Sequence, residues 1–234
     1  MHKEHSSKRY DTQLEALRTR VLQMGGLVEA QIVDAIEALL SGNLDLARKV
    51  IATDSEVDAL EVSIDEDCGQ LIVKRQPAAS DLRLVLTVTK AITDLERIGD
   101  EAEKIARMAL LIYSSGVLFR IGFADIKIAS NLAMEMLRRA LDGFSRLDAE
   151  QAADVLNKDA DLDDQFRSIL RQLITYMMED PRTISVSIET LFVAKALERI
   201  GDHAKNVAEH VIYLVRGQDV RHTISDESWR EANA

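Results

Sequence analysis

Several residue types that interrupt helices or favour strands are scarce in this chain of 234 residues. It contains two prolines, Pro77 and Pro181, ten glycines, and only 4% aromatic residues. A single cysteine, Cys68, excludes an internal disulfide, and we expect it to be a small buried side chain. Ala, Leu, Ile, Glu, Asp and Arg dominate instead, which is the composition of long helices. The sequence therefore predicts an all-α fold.

Long apolar runs and an excess of positive charge are also missing. Apolar stretches such as residues 108–113 are far shorter than the roughly 18–20 residues that span a bilayer, and the start of the chain has no apolar signal-peptide core. We therefore expect no transmembrane segment and a cytoplasmic location. The 40 acidic and 29 basic residues give a net charge of −11, which repels nucleic-acid phosphates, so we expect no nucleic-acid partner.

Polar breaks divide the chain into six segments with helical periodicity. Each proline lies in one break, and breaks rich in Gly, Ser, Asn or Asp supply the others. The predicted helices cover residues 8–41, 44–76, 81–114, 122–145, 148–179 and 183–216. Because short turns join them, three helices in each half should pack as antiparallel neighbours.

The hexapeptide Leu-Glu-Arg-Ile-Gly-Asp occurs twice, at 95–100 and again at 197–202. The two halves also share an Asp-x-x-x-Asp pair midway, Asp54 with Asp58 and Asp159 with Asp163. This pattern indicates duplication of a unit of about a hundred residues, too long for a solenoid repeat. The predicted organisation is two similar three-helix bundles, residues 1–117 and 118–216, followed by a polar tail at 217–234.

The repeated motif places two carboxylates one helical turn apart at the edge of an apolar stripe. Like charges at this spacing cost a few tenths of a kcal/mol in an isolated helix, so a partner should offset them. One interpretation is an ordinary solvated helix edge. The other is a cation site, because Mg²⁺, Mn²⁺, Ca²⁺ and ferric iron prefer several oxygen ligands. On the second interpretation the repeated motif supplies Glu96, Asp100, Glu198 and Asp202 as metal ligands, and the two Asp-x-x-x-Asp pairs on the preceding helices offer more carboxylates.

Other motifs give no stronger scheme. His203 and His210 lie seven residues apart in the sixth segment, without counterparts in the first half, and we interpret them as surface or edge histidines. No Glu-x-x-His occurs, which argues against a ferritin-like di-iron oxidase. The glycines form neither a phosphate-binding loop nor a dinucleotide fingerprint, so no organic cofactor is expected.

These residues together resemble the PhoU family, over about residues 8–216. The resemblance implies two three-helix bundles with pseudo-twofold symmetry in a cytoplasmic, usually dimeric protein without catalytic activity. It also implies a negative regulator of phosphate uptake, which couples the ATPase subunit of the phosphate ABC transporter to the sensor histidine kinase of the phosphate regulon. In some members the Glu-x-x-x-Asp motifs hold metal clusters, which implies ligands at Glu96 with Asp100 and at Glu198 with Asp202, and Asp58 and Asp163 as weaker candidates.

The two halves differ beside the motif. Glu103 in the first repeat corresponds to Lys205 in the second, so we expect weaker cation binding at the second site. We expect Arg107 to neutralise part of the first cluster and Arg97 to point outward. Two other function classes stay open at this point, a metal-dependent helical-bundle enzyme and a purely structural helical scaffold.

Overall fold

A computed structural model describes residues 2–114 and 123–220 of the chain, with side chains described from Tyr10 onward. Within these residues the chain forms six α-helices and one short 3-10 helix, η1, and no strand. The elements are α1 (His2–Ser41), α2 (Leu44–Arg75), α3 (Ala79–Ser114), α4 (Ala124–Arg146), α5 (Ala149–Glu179), η1 (Pro181–Thr183) and α6 (Ile184–Arg216). The all-α prediction is confirmed, and each predicted helix end lies within two residues of the observed one, except that α1 begins six residues earlier.

Matching turns start the second helix of each repeat. The Asn43 side chain accepts a hydrogen bond from the Leu46 backbone N–H at 3.1 Å, and Asp148 accepts from those of Glu150 and Gln151 at 2.9 and 3.1 Å. Both residues satisfy helix-end donors that have no partner within the helix. Gly42 precedes Asn43 with φ +72°, a conformation that glycine adopts without strain.

Helices α1–α3 form the first bundle and α4–α6 the second, and the two bundles pack together along α3 and α6, with α1 also against α4. The apolar core includes the fully buried Leu95 on α3 and Leu197 on α6, which begin the two hexapeptides. Cys68 is buried, as expected, and burial raises the pKa of its thiol to about 12. None of the described helices combines the length and hydrophobicity that crossing a bilayer requires.

The contacts between α3 and α6 show that the two helices run antiparallel. Near the start of α3, Lys90 Nζ lies 5.7 Å from the centre of the Tyr213 ring, which is near the end of α6. Further along α3, Glu101 forms an ion pair at 3.1 Å with Arg199, which comes earlier in α6. The start of α3 therefore lies beside the end of α6. The predicted boundary at 117/118 and most of the predicted tail lie outside the described residues.

The glycine in each hexapeptide marks the place where the preceding helix crosses. A Cβ added at Gly99 would lie 3.3 Å from an Asp54 oxygen and 3.4 Å from Val57, and one added at Gly201 would overlap the Leu162 side chain. Val57 and Leu162 occupy corresponding positions of α2 and α5. Both helices can therefore approach the acidic motif closely only because the motif contains glycine.

We expect glycine-to-alanine substitutions to separate this packing role from helix propensity. Gly69 on α2 has open space around its Cβ position, so Gly69→Ala should raise the free energy of unfolding by about 0.5–1 kcal/mol. Gly201→Ala should raise the free energy of unfolding by less than Gly69→Ala does, because the Leu162 side chain must repack. Urea unfolding of both variants measures the difference. Equal stabilisation by the two substitutions would contradict the crossing role of Gly201.

Candidate functional site

The first copy of the motif lies on α3, where it faces α2. The side chain of Glu96 is 20% exposed and that of Asp100 41%, so both carboxylates are partly removed from water at the edge of the core. Asp54 on α2 is half-buried, whereas Asp58, one turn further, is exposed. The structure therefore brings the repeated motif and the Asp-x-x-x-Asp pair to one face, as the sequence predicts.

Proton affinities at this face show that its carboxylates repel one another. The pKa of Asp54 is raised to about 6, chiefly by burial, with the charges of Glu103, Asp58 and Asp100 also raising it and a hydrogen bond from Gln31 opposing them. Burial also raises the pKa of Glu96, with contributions from Asp100, Glu61 and Asp58. Negative charge is thus concentrated here beyond what nearby cations offset. A bound cation would favour the ionised form of each carboxylate.

Two arginines reach this cluster. Arg107 pairs with Glu103, as expected. The expectation that Arg97 points outward is wrong, because its guanidinium lies 3.4 Å from Glu96 and 3.5 Å from Asp100. The Arg97 side chain is 54% exposed, but it is long enough to contact both carboxylates on its own helix. Both pairs are therefore partly screened by solvent.

The second copy, on α6, has a similar layout with different basic neighbours. Burial raises the pKa of Asp202, and the charges of Glu198 and Asp159 add to this effect. Lys205, which replaces Glu103 of the first repeat, forms an ion pair with Asp159 on α5. Glu198 is paired with Lys195. The cation predicted to disfavour metal at this site is thus paired with one of its carboxylates.

Asp163, the remaining predicted ligand, lies on α5 and is half-buried, with Arg167 3.9 Å away. In the part of the chain that the structure describes, no three His, Cys, Asp or Glu side chains are placed so that they could hold one ion. A shared metal therefore requires these side chains to change rotamer. The donors are all oxygen, which fits a hard cation, and the metal sites stay a prediction.

Sequence reasoning missed a buried polar cluster at the seam between the repeats. Asp94 on α3 accepts hydrogen bonds from three α6 side chains: His203 Nδ1 at 2.9 Å, Asn206 Nδ2 at 2.9 Å and His210 Nε2 at 3.0 Å. Asp94 is 9% exposed and His210 8%. The interpretation of His210 as a surface or edge residue is therefore wrong, because the antiparallel packing of α3 and α6 buries it against a carboxylate, whereas His203 is half-buried at the edge of the seam.

The duplication does not reproduce this cluster, which joins one residue of α3 to three residues of α6, at the equivalent positions of the two helices. Ala196 stands where the duplication would place Asp94, and Met108 where it would place His210. A charged residue amid an apolar stripe was the available signal, but the sequence alone did not show which helix would face it. Burial by itself raises the pKa of Asp94, but hydrogen bonds from His203, His210 and Asn206 outweigh burial and lower the pKa to about 2.

We expect Asp94→Ala to destabilise the protein by about 3 kcal/mol, because it leaves three buried or half-buried donors without their acceptor. Glu66→Ala, which removes an exposed carboxylate from α2, should change stability by less than about 0.5 kcal/mol. Chemical denaturation at neutral pH compares the two variants with the parent protein. An Asp94→Ala protein as stable as the Glu66→Ala control would show that the cluster contributes nothing to the seam.

Comparisons with known proteins agree with the duplicated architecture. The PhoU domain matches this chain twice, at residues 21–109 and 126–211. The phosphate-specific transport system accessory protein PhoU homolog of Pseudomonas aeruginosa is 46% identical over 218 residues, which is 93% of this chain and 90% of that protein. The corresponding protein PhoU of Escherichia coli is 44% identical over 223 residues, which is 95% of this chain and 92% of that one.

Solved structures give the same result. The crystal structure of PhoU from Pseudomonas aeruginosa superposes with a TM-score of 0.86 at 45% identity, over 89% of this chain and 100% of that one. The phosphate transport system regulatory protein PhoU from Streptococcus pneumoniae superposes with a TM-score of 0.83 at 27% identity, over 90% and 99%. Because the family domain matches both repeats and the similarity to the PhoU proteins extends over nearly the whole sequence, the chain belongs to the PhoU family.

Proposed function

We propose that this protein is a non-enzymatic, cytoplasmic regulator of phosphate uptake and phosphate-regulon signalling. The observation that supports this most directly is 44–46% identity, over at least 93% of the chain, to accessory proteins of the phosphate-specific transport system. Identity of that extent covers both repeats rather than one shared bundle. The protein acts by binding other proteins, and a homodimer is the form that does so.

Its partners are the ATPase subunit of the phosphate ABC transporter and the sensor histidine kinase of the phosphate regulon. When phosphate is plentiful, the protein associates with both and holds the kinase in its inactive signalling state. Neither acidic face places a nucleophile beside a base, which favours an adaptor over a hydrolytic enzyme.

The acidic faces bind metal ions in this proposal. Glu96, Asp100 and Asp58 hold a cation in the first repeat, and Glu198, Asp202 and Asp163 hold one in the second. The raised pKa values of Glu96 and Asp202 support this, since both reflect burial together with the charges of neighbouring carboxylates. Manganese, magnesium and ferric iron suit the oxygen donors. The ion would neutralise the carboxylates and fix α2 against α3, and α5 against α6.

The partners are tested by affinity purification of the tagged protein from cells grown with abundant and with scarce phosphate. We expect the transporter ATPase subunit and the sensor kinase to be recovered, with more of the complex when phosphate is abundant. An unrelated acidic helical protein with the same tag serves as the control. Recovery of neither partner above that control would leave the adaptor function without support.

Metal binding is tested by titrating metal-free protein with Mn²⁺ or Fe³⁺ and following the heat of binding. Two phases are expected, the tighter one lost in Asp100→Asn and the weaker one lost in Asp202→Asn. Lys205→Glu restores the residue found in the first repeat and changes the local charge by two units. It should tighten the second phase roughly tenfold or more, since a unit charge about 4 Å away contributes on the order of 1 kcal/mol even in water.

Loss of the tighter phase in Asp202→Asn would reverse the assignment of the two sites. Binding that is unchanged in both Asn variants would return the motif to an ordinary helix edge. Neither result bears on the protein partners, which are tested separately.

A further inference from the structure

Exposed apolar side chains gather at one end of the second bundle. Five of the thirteen exposed large apolar side chains in the described part of the chain lie between residues 174 and 192. They are Ile174, Met178, Ile184, Ile188 and Phe192, with exposures of 43%, 81%, 42%, 42% and 52%. Such a concentration around one turn differs from apolar residues scattered singly over a surface, which need no explanation.

These side chains lie level with one another across the turn at η1. Thr183 Oγ1 donates to the Tyr176 carbonyl at 3.0 Å, and Lys195 lies 5.5 Å from the centre of the Phe166 ring. This antiparallel register places Ile174 at the level of Ile188 and Met178 at the level of Ile184 along the two helices. On α6 the exposed residues Ile184, Ile188 and Phe192 are spaced four apart, so they follow one side of the helix. We call residues 175–192, with Ile174, the second tip.

The duplicated position in the first bundle is also apolar and exposed. Val73 corresponds to Met178 and is 79% exposed, and Leu86 corresponds to Ile188 and is 40% exposed. We call this region, residues 70–90, the first tip. Both tips therefore have exposed apolar side chains at equivalent positions. Because these side chains are exposed, they contribute little to the core of their own bundle.

The two tips carry opposite charge. The first tip contains Lys74, Arg75, Arg83 and Lys90 against Asp81, a formal charge of +3. The second tip contains Glu179, Asp180 and Glu189 against Arg182, a formal charge of −2. The chain as a whole carries −11, so a basic tip is a local exception. Opposite charges around apolar centres give the two surfaces electrostatic complementarity.

The tips lie at opposite ends of the molecule, because α3 and α6 run antiparallel and each tip includes the start of one of them. They cannot meet within one chain. In a two-fold dimer whose axis runs across the helices, the first tip of one copy would meet the second tip of the other at both ends. Such a dimer is closed and makes the same contact twice.

We propose that a second copy of this chain covers both tips, with the first tip of each protomer docked on the second tip of its partner. This inference rests on the homodimer in the proposed function and adds the surface that forms it. An anionic membrane would attract the basic first tip but repel the acidic second tip, although the second tip is the more apolar of the two. Membrane binding therefore does not explain why both tips are exposed and apolar. Contacts between like tips would bring equal charges together.

Sedimentation of the whole protein at micromolar concentration tests this interface. Ile188→Glu with Phe192→Glu alters the second tip, and Val73→Glu with Leu86→Glu alters the first. Either double variant should raise the dimer dissociation constant at least tenfold, since each contact uses one tip of each kind. Ile128→Glu changes an equally exposed apolar residue on α4, outside both tips, and should leave the dimer unchanged. Circular dichroism confirms that each variant remains helical.

Mixing the two double variants identifies the head-to-tail arrangement. A mixed dimer retains one contact in which both tips are unaltered, so the mixture should regain dimers that neither variant forms alone. A mixture that stays monomeric, or double variants that remain dimeric like Ile128→Glu, would overturn the inference while leaving the homodimer itself in place. A parent protein that is monomeric throughout would instead contradict the homodimer of the proposed function and the interface with it.

Discussion

The fold depends on the burial of one helix in each repeat, α3 in the first and α6 in the second. Each of these helices packs against the other two helices of its bundle and against its counterpart in the other bundle. Its apolar residues therefore form both the core of a repeat and the seam between repeats. The acidic hexapeptide lies at the edge of this same buried stripe. Core packing holds its carboxylates in place, and burial raises the pKa of Glu96 in the first copy and of Asp202 in the second.

Duplication gave the two halves one architecture, and divergence gave their surfaces different chemistry. Glycine at the helix crossing and the Glu-x-x-x-Asp pair occur in both repeats. Beside them, Lys205 forms an ion pair with Asp159, where the first repeat has Glu103 paired with Arg107. The two acidic faces are thus similar in layout but differ in which of their charged side chains are paired. The same contrast separates the two tips, which share exposed apolar positions and carry charges of opposite sign.

The seam shows how a polar group can be specific to one pairing of helices. Asp94 finds all three of its side-chain partners on α6, and Glu101, 3% exposed, pairs with Arg199 across the same seam. An unpaired carboxylate at either position would be costly to bury. These contacts therefore favour one register of α3 against α6 over others that apolar packing alone would allow. The fixed register in turn sets the distance between the two acidic faces.

The sequence by itself determined the helices, their bounds to within two residues at most ends, and the duplication, because helical period, prolines and capping residues act locally. It also predicted that the acidic motif would face the Asp-x-x-x-Asp pair, since short turns make consecutive helices antiparallel neighbours.

The sequence could not assign His203 and His210, because their partner Asp94 is more than a hundred residues away and no local pattern pairs them. The path of Arg97 was likewise decided only in three dimensions, by the flexibility of a long side chain near two carboxylates. Which surfaces stay exposed after the bundles pack, and hence that two apolar tips of opposite charge lie at opposite ends, follows from tertiary structure, because burial depends on every neighbouring element at once.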